Sequence, residues 1–441
     1  MNRTPVLPGC NRFGKRRLAG FMALVLLLVL CLPLAACNEV EEEPAALAAY
    51  GTYGKDFAVL LARQFPWRSP GSEQERAAAE YIVQTLTTLG YKPQLSTFTY
   101  TDTAGQAQVS RNVVVRIPGS GFVRTKADGT EETFTRQVIV GAHYDTRITA
   151  EEAASAAPTA APTAASTTDP FGSATETTTR LIKVPTLADY DGIHDNASGV
   201  AVLLTLAREL KNNPLAYDVV LIAFGAGEAA QAGAESYAAR MSQAEIDQTD
   251  VMYCIDGIYA GDKMYAHAGR NALREYYRKD YELRRKLYEV TDVFYENQLY
   301  TNNRYMLYTN QASFDVLLDD MQSPVLYREW TLNDSDYLPF DHLDIPIVFF
   351  ESFDYDAKTL DAVKESKNPA FSATDGAIRH TAFDSSVYLQ QIMNQLQSAL
   401  AVTGTVKPID QLTRRVNNTA FVIIEAIKKG ADGVREHAAE K

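Results

Sequence analysis

Two short runs constrain this chain more than anything else in it: residues 137–142 (QVIVGA) and 217–224 (YDVVLIAF). Both are rich in β-branched residues and apolar at consecutive rather than alternate positions. A strand that alternates can leave one face in water. A strand apolar on both faces must be covered on both, as in the centre of a parallel sheet. Residues 251–255 (VMYCI) and 345–351 (IPIVFFE) are of the same kind. Helical stretches lie between them, 197–212 with an apolar stripe and 228–240 after the second run. This order predicts an α/β fold with a mostly parallel central sheet flanked by helices on both faces, in a single large domain.

The flanks extend the pattern. Residues 45–65 read as a first helix; Ser72 and Glu75 then form a capping box. The helix it opens ends at Gly90, a residue suited to a C-terminal cap. Residues 95–100 and 112–117 read as strands, the second stopped by Pro118-Gly119. Residues 384–402 and 411–429 read as closing helices, which divides the chain into a main domain over 47–405 and a C-terminal helix within 406–441. Residues 150–180 are rich in Ala, Thr, Ser and Pro and cannot bury enough apolar surface to offset their ordering entropy; they read as a disordered insertion. Residues 271–330, rich in Tyr and Arg, read as helices and loops over one edge of the sheet.

The N-terminus has a different character. Arg12, Lys15, Arg16 and Arg17 precede an apolar run over 18–34 and then Leu34-Ala35-Ala36-Cys37. A basic start, a short apolar core and small residues at the cut describe a signal peptide. Leu-Ala-Ala-Cys resembles a bacterial lipobox. That implies removal of residues 1–36, a lipid on Cys37 as membrane anchor, an acidic tether over 37–46 and a place in the cell envelope outside the cytoplasm. The alternative is a plain transmembrane anchor, for which the run is short and interrupted by Pro33. Removing 1–36 takes away Arg3, Arg12, Lys15, Arg16 and Arg17 and no acid, moving the net charge from −13 to −18. So acidic a chain is no nucleic-acid binder. Of the four Cys, Cys10 and Cys31 leave with the signal and Cys37 is lipidated. Cys254 then has no partner for a disulfide and reads as a small core residue.

Five segments place a metal-ligand residue type after a buried strand or before a helix: Ala142-His143-Tyr144-Asp145, Gly192 to Gly199 (GIHDNASG), Phe224 to Glu228 (FGAGE), Ile255-Asp256-Gly257 and Arg379-His380-Thr381. Open α/β sheets bind ligands at the carboxyl ends of their strands, where these segments would converge. Two His and three carboxylates suit a pair of zinc ions sharing one carboxylate.

With SDYLPF at 335–340, these segments resemble the two-zinc aminopeptidases of clan MH, the bacterial leucyl aminopeptidases and glutamate carboxypeptidase-like peptidases. The likeness runs from about residue 112 to residue 380, in family order. It implies two Zn²⁺: His143 and Asp256 on one, Glu228 and His380 on the other, Asp195 bridging, and Asp145 fixing the His143 ring. It also implies a peptide substrate and hydrolysis of N-terminal residues. His194, His267, His342 and His437 match no ligand position.

One departure bears on the chemistry. Where the family has a general-base Glu before the ligand Glu, this chain has Gly227-Glu228. Asp191 and the 150–180 insertion are the candidates to replace it; Glu235 is two helical turns away. Two readings follow: an active metallopeptidase, or a zinc-binding pseudopeptidase that holds peptides as an envelope lipoprotein. Tyr337 and Asp344 also depart from the family's His and Gly and would reshape the substrate pocket.

Overall fold

The computed structural model describes residues 44–126, 128–156, 184–274, 278–279, 281–309, 313–316, 325–328, 331, 333–357, 362–401 and 410–439. The signal segment, Cys37 and all but the end of the tether lie outside the described residues, as does 157–180 of the insertion. Among the described residues, no helix is long and apolar enough to cross a membrane.

Eight strands form the sheet: β1 (Gln94–Thr101), β2 (Ala107–Ile117), β3 (Gln137–His143), β4 (Asp218–Phe224), β5 (Thr249–Ile255), β6 (Lys263–Ala268), β7 (Leu307–Thr309) and β8 (Ile347–Phe353). Their order is β1-β2-β4-β3-β5-β8-β6-β7. The runs singled out in the sequence are the central four, and these are parallel. The margins differ. β1 and β2 pair antiparallel and β2 lies antiparallel to β4. β6 is antiparallel to β8, and β7 returns parallel to β6. The sheet is therefore mixed, with a parallel centre. A turn of a few residues between β1 and β2 permits only an antiparallel pair, whereas the long crossover from β3 to β4 permits a parallel one.

Alternate residues of each central strand enter separate cores. Val138, Val140 and Ala142 of β3 face α1 (Tyr53–Gln64), α3 (Ser198–Leu210) and α7 (Gln411–Ala439). Ile139 faces the other way, with Ile222, Phe224, Met252, Cys254 and Phe349, towards α4 (Ala232–Ala238). Cys254 is thus a core residue. α3 is buried on nearly every side, because the sheet lies below it while α1 and α7 lie above. α7 belongs to this core: Val416, Ala420, Val422 and Ile423 are fully buried. The other helices of more than eight residues among the described residues are α2 (Glu73–Thr88), α5 (Tyr281–Glu296) and α6 (Ser386–Ala401).

Several local expectations change. The first helix is two, Ala45–Ala48 and α1, separated by a turn in which Gly51 is left-handed (φ 59°). The helix expected from residue 228 begins only at Ala232, because Ala226, Ala230 and Gln231 are left-handed and hold 226–231 as a turn. The segment read as disordered opens with a helix, Ala150–Ser155, whose N-cap Thr149 makes a full capping box with Glu152. Residues 271–330 also add strand β7 to the sheet.

Gly141 on β3 has no room for a side chain: a Cβ there would lie 2.4 Å from Phe224 Cε2 and 2.8 Å from Met252 Cε. Overpacking of this kind costs about 1–3 kcal/mol. Gly141→Ala is expected to lower the unfolding free energy by that amount, read as a lower urea midpoint with an unchanged m value. An unchanged midpoint would refute the tight packing of Phe224 and Met252 against β3.

Candidate metal centre

The carboxyl ends of β3, β4 and β5 lie side by side, and the residues beyond them meet two loops from elsewhere in the chain. His143 is the last residue of β3, and Asp256 follows β5 directly. Glu228 sits in the turn after β4. Asp195 lies in the turn Ile193–Ala197 that leads into α3, where the Asp195–Asn196 peptide is cis. His380 comes from the loop before α6, with a left-handed backbone (φ 61°).

The structure brings together all five residues that the resemblance assigned to zinc, in two groups that share Asp195. His143, Asp195 and Asp256 form one and Asp195, Glu228 and His380 the other, with the ligand atoms of each within 4.8 Å of one another. His143 Nε2 lies 3.2 Å from Asp195 Oδ1 and 3.5 Å from Asp256 Oδ1. His380 Nε2 lies 3.0 Å from Asp195 Oδ2 and 3.0 Å from Glu228 Oε1. The two oxygens of Asp195 thus face different groups. Asp195 Oδ1 and Asp256 Oδ1 are buried and accept no hydrogen bond. Buried carboxylate oxygens without donors, facing imidazole nitrogens, fit the coordination needs of zinc pairs. The first group is buried, whereas the His380 side chain is 44% exposed, so the site opens on the second.

The charges are coupled. Burial disfavours a charged ring at His380, but Asp195 and Glu228 outweigh it and hold the ring up at about 10. At His143 burial is likewise outweighed, by Asp145, Asp195 and Asp256, which hold it well above its ordinary value. Burial and then the charge of Asp195 push Glu228 up to about 7. Against burial, His143 and His380 keep Asp195 well below the usual carboxylate range.

Around this centre lie residues whose task is to hold backbone. Asp145 was expected to fix the His143 ring. Its Oδ1 lies 3.5 Å and its carbonyl oxygen 3.3 Å from His143 Nδ1, and its carboxylate also accepts the N–H groups of Gly227 (2.7 Å) and Glu228 (2.9 Å). Glu75 was expected to close a capping box. Ser72 Oγ does accept Glu75 N–H, but the Glu75 carboxylate turns inward to accept Ala226 N–H (2.8 Å), Ser110 Oγ–H (2.6 Å) and Gly71 N–H (2.8 Å). Two carboxylates thus receive three successive N–H groups of the turn that carries Glu228. The buried Arg68 donates to the carbonyls of Tyr144, Asp191 (2.6 Å) and Gly192 (2.7 Å), joining the His143 and Asp195 segments. Asp384 accepts the N–H groups of His194 (2.7 Å) and Asp195 (3.0 Å), and Ser335 Oγ donates to Asp256 Oδ2 (2.7 Å). Asn196 joins the bridge to the next strand, donating to Ile255 C=O (2.8 Å) and accepting Gly257 N–H (3.1 Å). Of these, Asp145, Asn196 and Ser335 lie in segments that the sequence singles out, and only Asp145 had a role assigned; Arg68, Ser110 and Asp384 come from segments without a recognisable motif, and Glu75 from one that reads as a capping box. His267 takes no part in the centre: it is buried, stacked on Tyr265, with Nε2 2.8 Å from Glu351 Oε1.

Gly227 is pressed against a ligand. A Cβ there would lie 2.4 Å from His143 Cβ and 2.6 Å from Cγ. Asp191, a candidate substitute base, spends its carboxylate on Ser386 N–H (2.9 and 3.1 Å). Two outcomes are expected. Gly227→Ala should weaken metal binding by displacing His143, and Gly227→Glu should do the same rather than supply a base; zinc titration of both variants checks this, and native affinity in Gly227→Ala would refute it. Because Asp195 and Glu228 hold the His380 ring up at about 10, and ligation requires a neutral ring, zinc binding at pH 8 should release protons. Calorimetry in buffers of different ionisation enthalpy reads the number; no release would contradict the arrangement.

The sequence matches the profile of Peptidase family M28 over residues 122–397, a span containing all five of these residues. It is 30% identical over 220 residues to the alkaline phosphatase isozyme conversion protein of Escherichia coli (strain K12), covering 48% of this chain and 54% of that one. It is 37% identical over 65 residues to aminopeptidase YwaD of Bacillus subtilis (strain 168), covering 15% and 14%. The chain thus spans about half the length of the first of these relatives and far less of the second. Among solved structures, the fold is similar to BSAP, a zinc aminopeptidase from Bacillus subtilis, with a TM-score of 0.52, 12% identity and coverage of 86% of this chain and 94% of that one. It is also similar to a Porphyromonas gingivalis glutaminyl cyclase, with a TM-score of 0.50, 15% identity and coverage of 86% and 97%. At these identities the likeness is one of fold. With the profile spanning more than half its length, the chain belongs to Peptidase family M28.

Proposed function

We propose that the chain is a zinc-dependent aminopeptidase that removes N-terminal residues from peptides. The observation that carries this reading is Asp195, whose two oxygens face two separate groups of metal-ligand atoms. The fold is shared with a zinc aminopeptidase and with a glutaminyl cyclase, so it does not choose between them; the complete five-residue set is what favours two ions. Bound there, a zinc pair supplies Lewis-acid activation of water and of the scissile carbonyl. The chain's own residues do the rest. His143 and Asp256 would hold one ion, Glu228 and His380 the other, and Asp195 both. The exposed His380 side admits the peptide, and the buried His143 side excludes solvent.

Proton transfer is the weak step. Gly227 offers no carboxylate, and those of Glu75, Asp145 and Asp191 are occupied by backbone N–H groups. A positioned base contributes about 10²–10⁴-fold, so hydrolysis should be slow by that factor. The same residue favours a second reading, a zinc-binding pseudopeptidase that retains peptides without cutting them. We also propose, from Leu34-Ala35-Ala36-Cys37, that the chain is anchored in the bacterial envelope by a lipid on Cys37. Cys37→Ser should then move the expressed protein from the detergent phase to the aqueous phase in a partition assay; unaltered partition would refute the lipid.

The test of activity is hydrolysis of a panel of aminoacyl anilides by the zinc-loaded chain, with and without chelator, beside Glu228→Gln. Slow, chelator-sensitive turnover that Glu228→Gln abolishes is expected. Peptide binding without turnover, at two zinc per chain, would establish the pseudopeptidase instead.

A further inference from the structure

His194 precedes the shared Asp195 and matches no ligand position, yet it is completely buried. Its Nδ1 lies 3.3 Å from both Tyr259 N and Ala260 N. Backbone N–H groups can only donate, so Nδ1 is the acceptor and the ring hydrogen sits on Nε2. That Nε2 lies 3.2 Å from Glu365 Oε1. Glu365 is itself buried, and its remaining bonds go to one place: Oε1 accepts Arg379 Nε–H (2.7 Å), while Oε2 accepts the N–H groups of Ile378 (2.5 Å) and Arg379 (2.9 Å). The backbone of this segment is fixed in turn: Glu365 C=O accepts Asp262 N–H (2.9 Å), and Ser366 N–H donates to Gly376 C=O (3.1 Å).

Each partner of this pair borders a different ligand. His194 adjoins Asp195, Tyr259 and Ala260 follow Asp256, and Ile378 and Arg379 lead into His380. Arg379 Nη1 also lies 3.6 Å from Asp256 Oδ1. We propose that Glu365 and His194 are a positioning pair: a buried clamp that ties the His380 and Asp256 segments to the bridging Asp195 and so sets the distance between the two metal groups. Neither residue touches metal or substrate; they act through the three ligands whose backbones they hold. A carboxylate buried this deeply is retained only with donors around it, and Glu365 has four, with Arg379 and His194 holding it down at about 2 against the effect of burial. Asp384 holds the Asp195 loop from the other side, so loss of Glu365 frees His380 more than Asp195. The inference rests on the reading of this site as a two-metal centre.

The test is competitive zinc titration of the full chain against a chromophoric chelator, with the cobalt(II) absorption spectrum as a second readout. Four proteins are compared: wild type, Glu365→Gln, His194→Gln (which keeps a donor towards Glu365 and loses the Nδ1 acceptor) and the double variant. Wild type is expected to bind two ions. Glu365→Gln should weaken binding of one of them by about 10–100-fold, the range for residues that orient ligands, and alter the cobalt spectrum. His194→Gln should act in the same direction, and the double variant should lose less than the two losses combined. Thermal melting of the metal-free proteins separates a folding role, which would lower the melting temperature and leave the affinities of the folded fraction as in wild type; that result would overturn the clamp. If Glu365→Gln does not fold, His194→Gln alone decides, and native affinity for both ions in it would refute the proposal. A wild type that binds fewer than two ions would remove the two-metal reading itself; a wild type with two and a Glu365→Gln variant with native affinities would remove the clamp alone.

Discussion

Everything at the carboxyl end of the sheet answers to one electrostatic constraint: several carboxylates are buried within a few ångströms of one another. Asp195, Asp256, Glu228, Asp145 and Glu75 would repel strongly in so dry a place if they shared no positive partners. The protein meets this in layers. Asp195, Glu228 and Asp256 face imidazoles. Asp145 and Glu75, one layer out, face backbone N–H groups at the turn after β4. Arginines complete the set, Arg379 beside Asp256 and Arg68 against carbonyl oxygens. Acidic inner residues thus determine what the outer ones have to be.

The same constraint explains the irregular backbone. Three consecutive N–H groups of 226–228 point towards two carboxylates and Ala226 is left-handed, so the segment around Glu228 is held as a turn. The turn therefore runs on through left-handed Ala230 and Gln231, and α4 starts late. Glycine at 227 lets this turn lie on His143, a contact that a side chain would prevent. The absence of a carboxylate at 227 and the close packing against His143 are two aspects of one residue.

The parallel centre of the sheet could be read from the sequence because a strand covered on both faces has to be apolar at consecutive positions, as in 137–142 and 217–224. His143, Glu228 and Asp256 could be read because strand ends in an α/β sheet are fixed in space once the strands are placed, whereas Asp195 and His380, on loops, were legible through the resemblance of their segments. The margins were less legible: antiparallel pairing of β2 with β4, and of β6 with β8, depends on connections whose length and path leave no residue signature. The supporting residues were legible least. Ser72-x-x-Glu75 has the form of a capping box, and nothing local says that the glutamate would find Ser110 and Ala226 from distant segments more attractive than Ser72 N–H. Glu365 sits in no motif, and His194 was conspicuous only for what it did not match.

The placement of α7 bears on how the chain is made. Its apolar face completes the burial of α3, and α3 in turn lies over the strands that carry the ligands. The first core on that side of the sheet therefore contains residues from α1 and from the far end of the chain. Such contacts join widely separated segments and cannot close until α7 has been made. Until then α3 presents part of its apolar surface uncovered. Formation of the centre is thus tied to a helix that supplies none of the five residues grouped there.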